Sequence, residues 1–545
     1  MLGNMMKRQL NTSDILKYAE DIHGDRAVVS AIGNNELHRT TYSEISSRCR
    51  KLANALIAQG VKTGDRVATL AWNGFRHLEL YYAISGIGAV CHTINPRLSQ
   101  EQIIYIIRHA HDQLIFIDVD LIPLVESVEA ELANDIIYVI LAKADEIPLN
   151  KLSNAICYEA LLHSHDDNHI WQEHNEDLAC GLCYTSGTTG NPKGVLYSHR
   201  STVLQAFSVI LAFPSVFQPG VKILPVVPLF HVNAWSIPYT ATLSGAEIVF
   251  PGRFLDGKSL YELMQKNHVV SAWGVPTIWL NLLEEISKRG AIPDGFRHVV
   301  IGGSAAPSQM IESFESLGID VAHSWGMTEM SPIGSHGQLF SPQSDLPIEK
   351  KTKLKTTQGR RLFGVDMKLI DSDGNQVAHD GKSVGELYVR GNTVVARYFN
   401  ETASPVTKLD NDGWFGTGDV AKIDRKGFLT ITDRSKDLIK SGGEWISSIE
   451  LENIAMAHGG ILSCAAIGAY HPKWGERPLL IVVTHDGRAL DTNNILDLIK
   501  KKVPNWQVPD DVVFIPSLPL TATGKVSKLQ LRLEYKNYFY PAGGS

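Results

Sequence analysis

At 545 residues, with 44% apolar and 20% charged side chains, the chain has room for several folding units with sizeable cores. Its 51 basic against 58 acidic residues give a net charge of −7, which argues against a nucleic-acid binder built on phosphate contacts. No apolar run approaches the roughly 20 residues of a membrane-spanning helix, the first ten residues lack the apolar core of a secretory signal, and six scattered cysteines make no disulfide framework. A reducing, cytoplasmic setting is therefore expected, with loose attachment to a bilayer through a greasy substrate left open.

Residues 27–42 read as a hairpin around Gly33-Asn34-Asn35, residue types that tolerate positive φ. A helix follows, because Ile45, Cys49, Leu52 and Leu56 recur at helical spacing and Gly60 ends the run. A buried strand at 66–72, a helix over 77–86 and a strand at 89–94 come next, and the alternation continues to about residue 330. That pattern predicts layered α/β subdomains with largely parallel sheets. It breaks at 341–360, a polar stretch with Lys350, Lys351, Lys353 and Lys355, after which short strands at 367–370, 386–391, 421–424 and 428–432 predict a small β-rich unit.

Beyond about 436 the elements alternate again. A helix is expected from Ser447, with Glu450 at capping-box spacing. Strands near 463–470, 479–485 and 512–516 mix with helices near 492–502 and 529–538. The main boundary falls at Asp433–Asp437. The expectation is an α/β fold (α+β overall): residues 1–435 as a large N-terminal domain of layered subdomains plus the β-rich unit, and residues 436–545 as a small C-terminal α+β domain. No internal repeat is visible.

The segment Tyr184-Thr185-Ser186-Gly187-Thr188-Thr189-Gly190-Asn191-Pro192-Lys193-Gly194 follows an apolar strand-like run. Hydroxyls, glycines that expose backbone N–H groups, and one cation are what a polyphosphate needs. It is not the Walker pattern, since the lysine is followed by glycine rather than Ser or Thr; taken alone, a flexible surface loop is the competing reading. Cys180 and Cys183 have metal or redox spacing, but no second pair completes a site, so packing in the buried strand is expected.

With this segment, Gly303-Ser304-Ala305-Ala306-Pro307, Trp325-Gly326-Met327-Thr328-Glu329, Trp414-Phe415-Gly416-Thr417-Gly418-Asp419, Asp433-Arg434-Ser435-Lys436-Asp437 and Thr523-Gly524-Lys525 occur in order. The chain resembles the adenylate-forming superfamily of acyl-CoA synthetases, adenylation domains and beetle luciferases. Lys440-Ser441-Gly442-Gly443-Glu444-Trp445 and the Ser304 run are most similar to its medium- and long-chain fatty-acid–CoA ligases. The resemblance implies an ATP-dependent ligase that makes an acyl-adenylate and pyrophosphate, then passes the acyl group to coenzyme A, releasing AMP. A ligase for a small acid such as 3-methylthiopropionate, or an adenylation enzyme that loads a carrier protein, are the alternatives.

The resemblance also implies roles, and residue chemistry makes them reasonable. Thr185, Ser186, Gly187, Thr188, Thr189 and Lys193 would hold the phosphates. Gly303, Ser304 and Ala305, with His323, Ser324, Trp325, Gly326 and Thr328, would line the nucleotide, Trp325 offering adenine a flat face. Asp419 and Arg434 would bond the ribose. Glu329 and Thr185 would supply hard oxygens to Mg²⁺. Lys525 would bridge acid and α-phosphate, and Lys436, Lys440 and Trp445 would also bind the nucleotide; the C-terminal domain would then turn about Lys436, so that catalytic Lys440 and the loop Ser441, Gly442, Gly443 line the entry for the thiol. His231, Val232, Trp235 and Gly303 would form the acyl pocket, with Trp235 as its gate. A homodimer through the N-terminal domains is a further implication. Two departures stand out: His323-Ser324 where the branch often has Gln-Gly, and Leu520 where many relatives have arginine.

Overall fold

The structure is a computed structural model and describes all residues except 2, 34–35, 186–190, 401–408, 486, 523 and 539–545. Two seven-stranded sheets carry most of the chain up to residue 330. In the first, the strands lie in the order Ala155–Cys157, Ile137–Ile140, Leu114–Ile117, Arg66–Leu70, Val90–Thr93, Ala179–Thr185 and Lys193–Ser198. All pair in parallel except the last, which returns antiparallel along Ala179–Thr185. Runs such as Leu-Ile-Phe-Ile at 114–117 are buried on both faces, as helix-covered parallel strands require.

The second sheet runs Asp320–His323, His298–Ile301, Ser271–Gly274, Lys222–Pro225, Glu247–Phe250, Ala27–Gly33 and Glu36–Thr41. It too is parallel apart from the last pair, the expected hairpin, whose turn residues Asn34 and Asn35 lie outside the described residues. The helix Tyr42–Ala58 after it starts on a reciprocal capping box of Thr41 and Glu44 and buries Ile45, Cys49, Leu52 and Leu56, as the periodicity predicted. Cys180 and Cys183 are buried and unbridged. Three apart in a strand, they point to opposite faces, one to Thr202 and the other to Thr93.

The polar stretch at 341–360 is more ordered than its composition suggests. It contains the helix Ile348–Lys355, which turns Lys355 into the fold, where Glu315 and Asp320 bind its ammonium. The β-rich unit is a four-stranded antiparallel sheet of Val365–Ile370, Gly385–Gly391, Phe415–Ile423 and Leu429–Arg434.

Past it, Gly475–Thr484 pairs antiparallel with Ile461–His471 and with the short strand Ile439–Ser441, and parallel with Asp511–Phe514. Because successive strand residues face opposite ways, Ala466 packs with the helices Ser448–Ala455 and Thr492–Lys500, while Ala465 and Ile467 pack with Leu531 of the helix Lys528–Glu534. That last helix is shorter than expected. Ser447 caps the first of them by accepting from the Glu450 N–H, one half of the anticipated box.

Candidate active site

Ligands of open parallel sheets bind beyond the carboxyl ends of the strands. Here four neighbouring strands of the second sheet send out the loops that hold the expected site residues: 226–236 after Lys222–Pro225, 275–277 after Ser271–Gly274, 302–307 after His298–Ile301, and 324–329 after Asp320–His323. The loops pack on one another through missing side chains. A Cβ on Gly302 would lie 3.1 Å from the Trp235 indole and 3.1 Å from the Ser324 carbonyl oxygen, and one on Gly303, where φ is 82°, would lie 3.1 Å from Val275. Glycine is the residue that permits these approaches.

Among the residues expected to hold the nucleotide, Trp325 Nε1 donates to Asp419 Oδ2 at 2.9 Å, and Arg434 Nε lies 3.3 Å from Asp419 Oδ1. Asp419 and Arg434 are cross-strand partners, so the sheet register itself creates the pair. The indole of Trp325 is seated on Gly334, where a Cβ would come within 2.7 Å, and Gly326 leaves no space for one beside the Pro332 carbonyl. The His323 side chain turns into the protein toward the Thr356 carbonyl and the Ala306 N–H; burial lowers its pKa to about 4, so the ring is neutral. Ser324 is buried, Ala305 half-buried and Ser304 exposed.

Glu329 is buried, and its Oε1 accepts from Tyr398 Oη at 2.8 Å. The preceding Thr328 is fixed by Tyr197, whose hydroxyl donates to its carbonyl at 2.7 Å. Thr185 and Lys193 face each other as the last and first residues of the antiparallel pair that flanks the loop expected to hold phosphates. Ser186, Gly187, Thr188 and Thr189 lie outside the described residues. Lys193 Nζ sits 4.7 Å from the centroid of the Tyr398 ring, so one tyrosine touches both the loop lysine and the expected metal carboxylate. Carboxylate and hydroxyl are the hard oxygen donors that suit Mg²⁺.

Lys525 reaches this cluster from the C-terminal sheet. Thr277 Oγ1 donates to the Gly524 carbonyl at 3.2 Å, and Asn95 Nδ2 to the Ala522 carbonyl at 3.3 Å. The lysine stem passes 3.3 Å from the position of a Gly303 Cβ, with Nζ at 3.8 Å. Loss of water and the charges of Arg434 and Lys436 lower its pKa to about 8, against the pull of Asp419 and Glu329. Burial and the Lys525 charge push His231 down to about 3. The ring is thus neutral at working pH and close to Lys525. Val232 and Trp235 are buried behind it.

Residues 17–399 match the family of AMP-binding enzymes, and residues 450–525 match the C-terminal domain of those enzymes. The chain belongs to the AMP-binding enzyme family. A 3-methylmercaptopropionyl-CoA ligase of Ruegeria lacuscaerulensis is 46% identical over 98% of this chain and 99% of its own length. A medium-chain-fatty-acid–CoA ligase of Ectopseudomonas oleovorans is also 46% identical, over 98% of both chains. ATP-bound MatB from Rhodopseudomonas palustris, 23% identical, shares the fold with a TM-score of 0.82 over 97% of this chain and 99% of its own.

Not every expected site residue of this AMP-binding enzyme is in the cluster. Lys440 and Trp445 are cross-strand partners on the C-terminal sheet; both are exposed, with the ammonium 5.3 Å from the indole centroid. Among the described residues no hydrogen bond or ring contact joins either to Trp325, Asp419 or Lys525. Ser441 is buried and bonded by Arg477, while Gly442 and Gly443 turn at φ 60° and 94° with Trp474 packed on the first. Lys436 is exposed beside the Asp419–Arg434 pair, and partial loss of water lowers its pKa. Sequence reasoning missed Tyr398, Asn95 and Thr277, which lie outside the quoted motifs.

Proposed function

We propose that the chain is an AMP-forming fatty-acid–CoA ligase acting on a medium- to long-chain acid. The observation that carries this is the delivery of Lys525, from the far end of the chain, to Gly303 between His231 and the Asp419–Glu329 carboxylates. A carboxylate attacking the α-phosphorus brings two anions together, so a cation held at their meeting point is the main requirement. The new O–P bond forms as the bond to the β-phosphate oxygen breaks and pyrophosphate leaves. Asp419 and Arg434 would hold the ribose, Trp325 the adenine, and Thr185, Lys193 and the loop between them the phosphates. Thr185 and Glu329 would hold Mg²⁺, which when bound neutralises phosphate charge.

The thiol of coenzyme A then attacks the acyl carbonyl and AMP departs. For this step we divide the chain at 433–437 and assign residues 436–545 a rotation about Lys436 that withdraws Lys525 and brings Lys440 and the glycine loop 442–443 inward. The exposure of Lys440, Trp445 and Gly443 in the present conformation supports that reading.

His231, Val232 and Trp235 would face the acid. The sulfur-containing acid named for the Ruegeria relative is the second substrate reading, favoured by an identity equal to that of the fatty-acid ligase. AMP release measured with short, medium, long and methylthio acids, with and without coenzyme A, tests both. AMP formation that ignores coenzyme A would reject the ligase, and a preference for the methylthio acid would reject the fatty one.

A further inference from the structure

Tyr398 meets two charged groups expected around the phosphates, and it does so with different parts of one side chain. Its hydroxyl donates to Glu329 Oε1 at 2.8 Å, while Lys193 Nζ lies 4.7 Å from the centroid of its ring. The side chain is buried in a cluster with Cys180, Cys183, Val195 and Tyr197, so hydroxyl and ring keep a fixed relation to the strands. A strap of backbone holds the tyrosine in place. The Val395 N–H donates to the Glu329 carbonyl at 2.8 Å, and the Phe399 N–H to the Gly194 carbonyl at 2.8 Å. Ser331 Oγ donates to the Thr393 carbonyl at 3.0 Å. The strap is thus tied both to the turn that bears Glu329 and to the strand that begins at Lys193.

The two contacts differ in chemistry, and each suits its partner. One oxygen of Glu329 takes the O–H donor, and Oε2 accepts no hydrogen bond among the described residues. A carboxylate oriented through one oxygen presents the other to a hard cation, and such outer partners tune metal affinity. Lys193 forms no ion pair among the described residues; an aromatic face holds it instead. That face attracts an ammonium through its quadrupole and leaves the charge unneutralised. A carboxylate in the same place would have cancelled the charge that a phosphate needs. One side chain therefore sets the spacing between an acid and a cation that come from distant parts of the chain.

We propose that Tyr398 is a positioning residue for adenylate formation, its hydroxyl orienting Glu329 for Mg²⁺ and its ring holding the Lys193 ammonium for the phosphates. The proposal rests on the ligase reading above. Tyr398→Phe removes the hydroxyl and keeps the ring, whereas Tyr398→Leu removes both. Mn²⁺ binding to the enzyme with a non-hydrolysable ATP analogue is read by electron paramagnetic resonance, and acid-dependent pyrophosphate exchange is titrated with Mg²⁺ and with ATP. In Tyr398→Phe the Mn²⁺ dissociation constant and the Mg²⁺ concentration for half-activation should rise a few-fold, no further than in Glu329→Gln. KM for ATP at saturating Mg²⁺ should stay as it was. Tyr398→Leu should add a rise of about three- to fivefold in that KM, the effect of losing a cation–π contact. In a Glu329→Ala background, Tyr398→Phe should leave Mn²⁺ binding where it is. Unchanged Mn²⁺ affinity in Tyr398→Phe, or full additivity with Glu329→Ala, would overturn the role of the hydroxyl. Equal KM for ATP in the Phe and Leu variants would overturn that of the ring. A lowered melting temperature with all these constants intact would make Tyr398 a packing residue only. Failure of the unmodified enzyme to exchange pyrophosphate would instead reject the ligase reading, and Mn²⁺ binding would still judge Tyr398.

Discussion

Two loops of residues 436–545 carry lysines expected to do chemistry, and their surroundings differ. The loop at 521–525 is inserted between Asn95, Thr277 and Gly303, and its lysine has lost enough water to bring its pKa to about 8. The loop at 440–443 stands outside, its lysine on an exposed indole and its second glycine with nothing within 4 Å of a Cβ. One face of the lobe is docked and dehydrated; the other is solvated. Under the proposed function such a lobe would serve two steps in turn, and each step should then fail separately.

Lys525→Ala should give the largest effect. Acyl-adenylate formation is expected to fall about 10²–10³-fold, the scale of losing one preorganised charge-stabilising group, while thioester formation from supplied acyl-adenylate persists. Equal losses in both half-reactions would break the comparison. Gly443→Val tests the opposite face. A branched side chain at φ 94° is strained, and thioester formation should drop about ten- to a hundredfold through misplacement, with pyrophosphate exchange retained.

The pH profile sharpens the same contrast. Lys525 is charged below about pH 8 and neutral above it, so kcat/KM for adenylation should fall about tenfold per pH unit on the alkaline side. At saturating ATP the limb should move to higher pH, because phosphate oxygens favour the charged amine. His231, with its pKa near 3, contributes no limb between pH 5 and 8. A flat alkaline profile would remove the charge of Lys525 from the step. Smallest is Glu329→Gln: the Mg²⁺ concentration for half-activation should rise a few-fold, since an amide is a poorer ligand for a hard cation. An unshifted titration would remove Glu329 from the metal site.

How much of this could be seen in the sequence depends on how far apart the interacting residues lie. The parallel sheets were legible because Leu114–Ile117 or His298–Ile301 are apolar runs whose burial is a local property. The candidate motifs stand out in the sequence because glycines, hydroxyls and charged residues fall together in short segments. The helix Ile348–Lys355 was not legible. Its segment reads only as a polar stretch, and the two acids that draw Lys355 inward are 40 and 35 residues upstream. Tyr398 was hidden likewise, since its partners Lys193 and Glu329 are distant in sequence.

The wall expected to meet the acid has a further property. Val232, Asn233, Ala234, Trp235 and Ser236 all have positive φ, between 44° and 69°, with no glycine among them. A left-handed turn of L-residues costs roughly 1–2 kcal/mol per residue, so these five do not choose their own shape. Their neighbours impose it. Asn73 accepts from the Leu229 N–H, and Tyr81 donates to the Leu229 carbonyl and to Asn233. The contour of this wall is thus inherited from Asn73 and Tyr81, residues in the first sheet's layer. If the wall meets the acid as proposed, altering that scaffold would retune the substrate while leaving His231 and the proposed nucleotide side as they are.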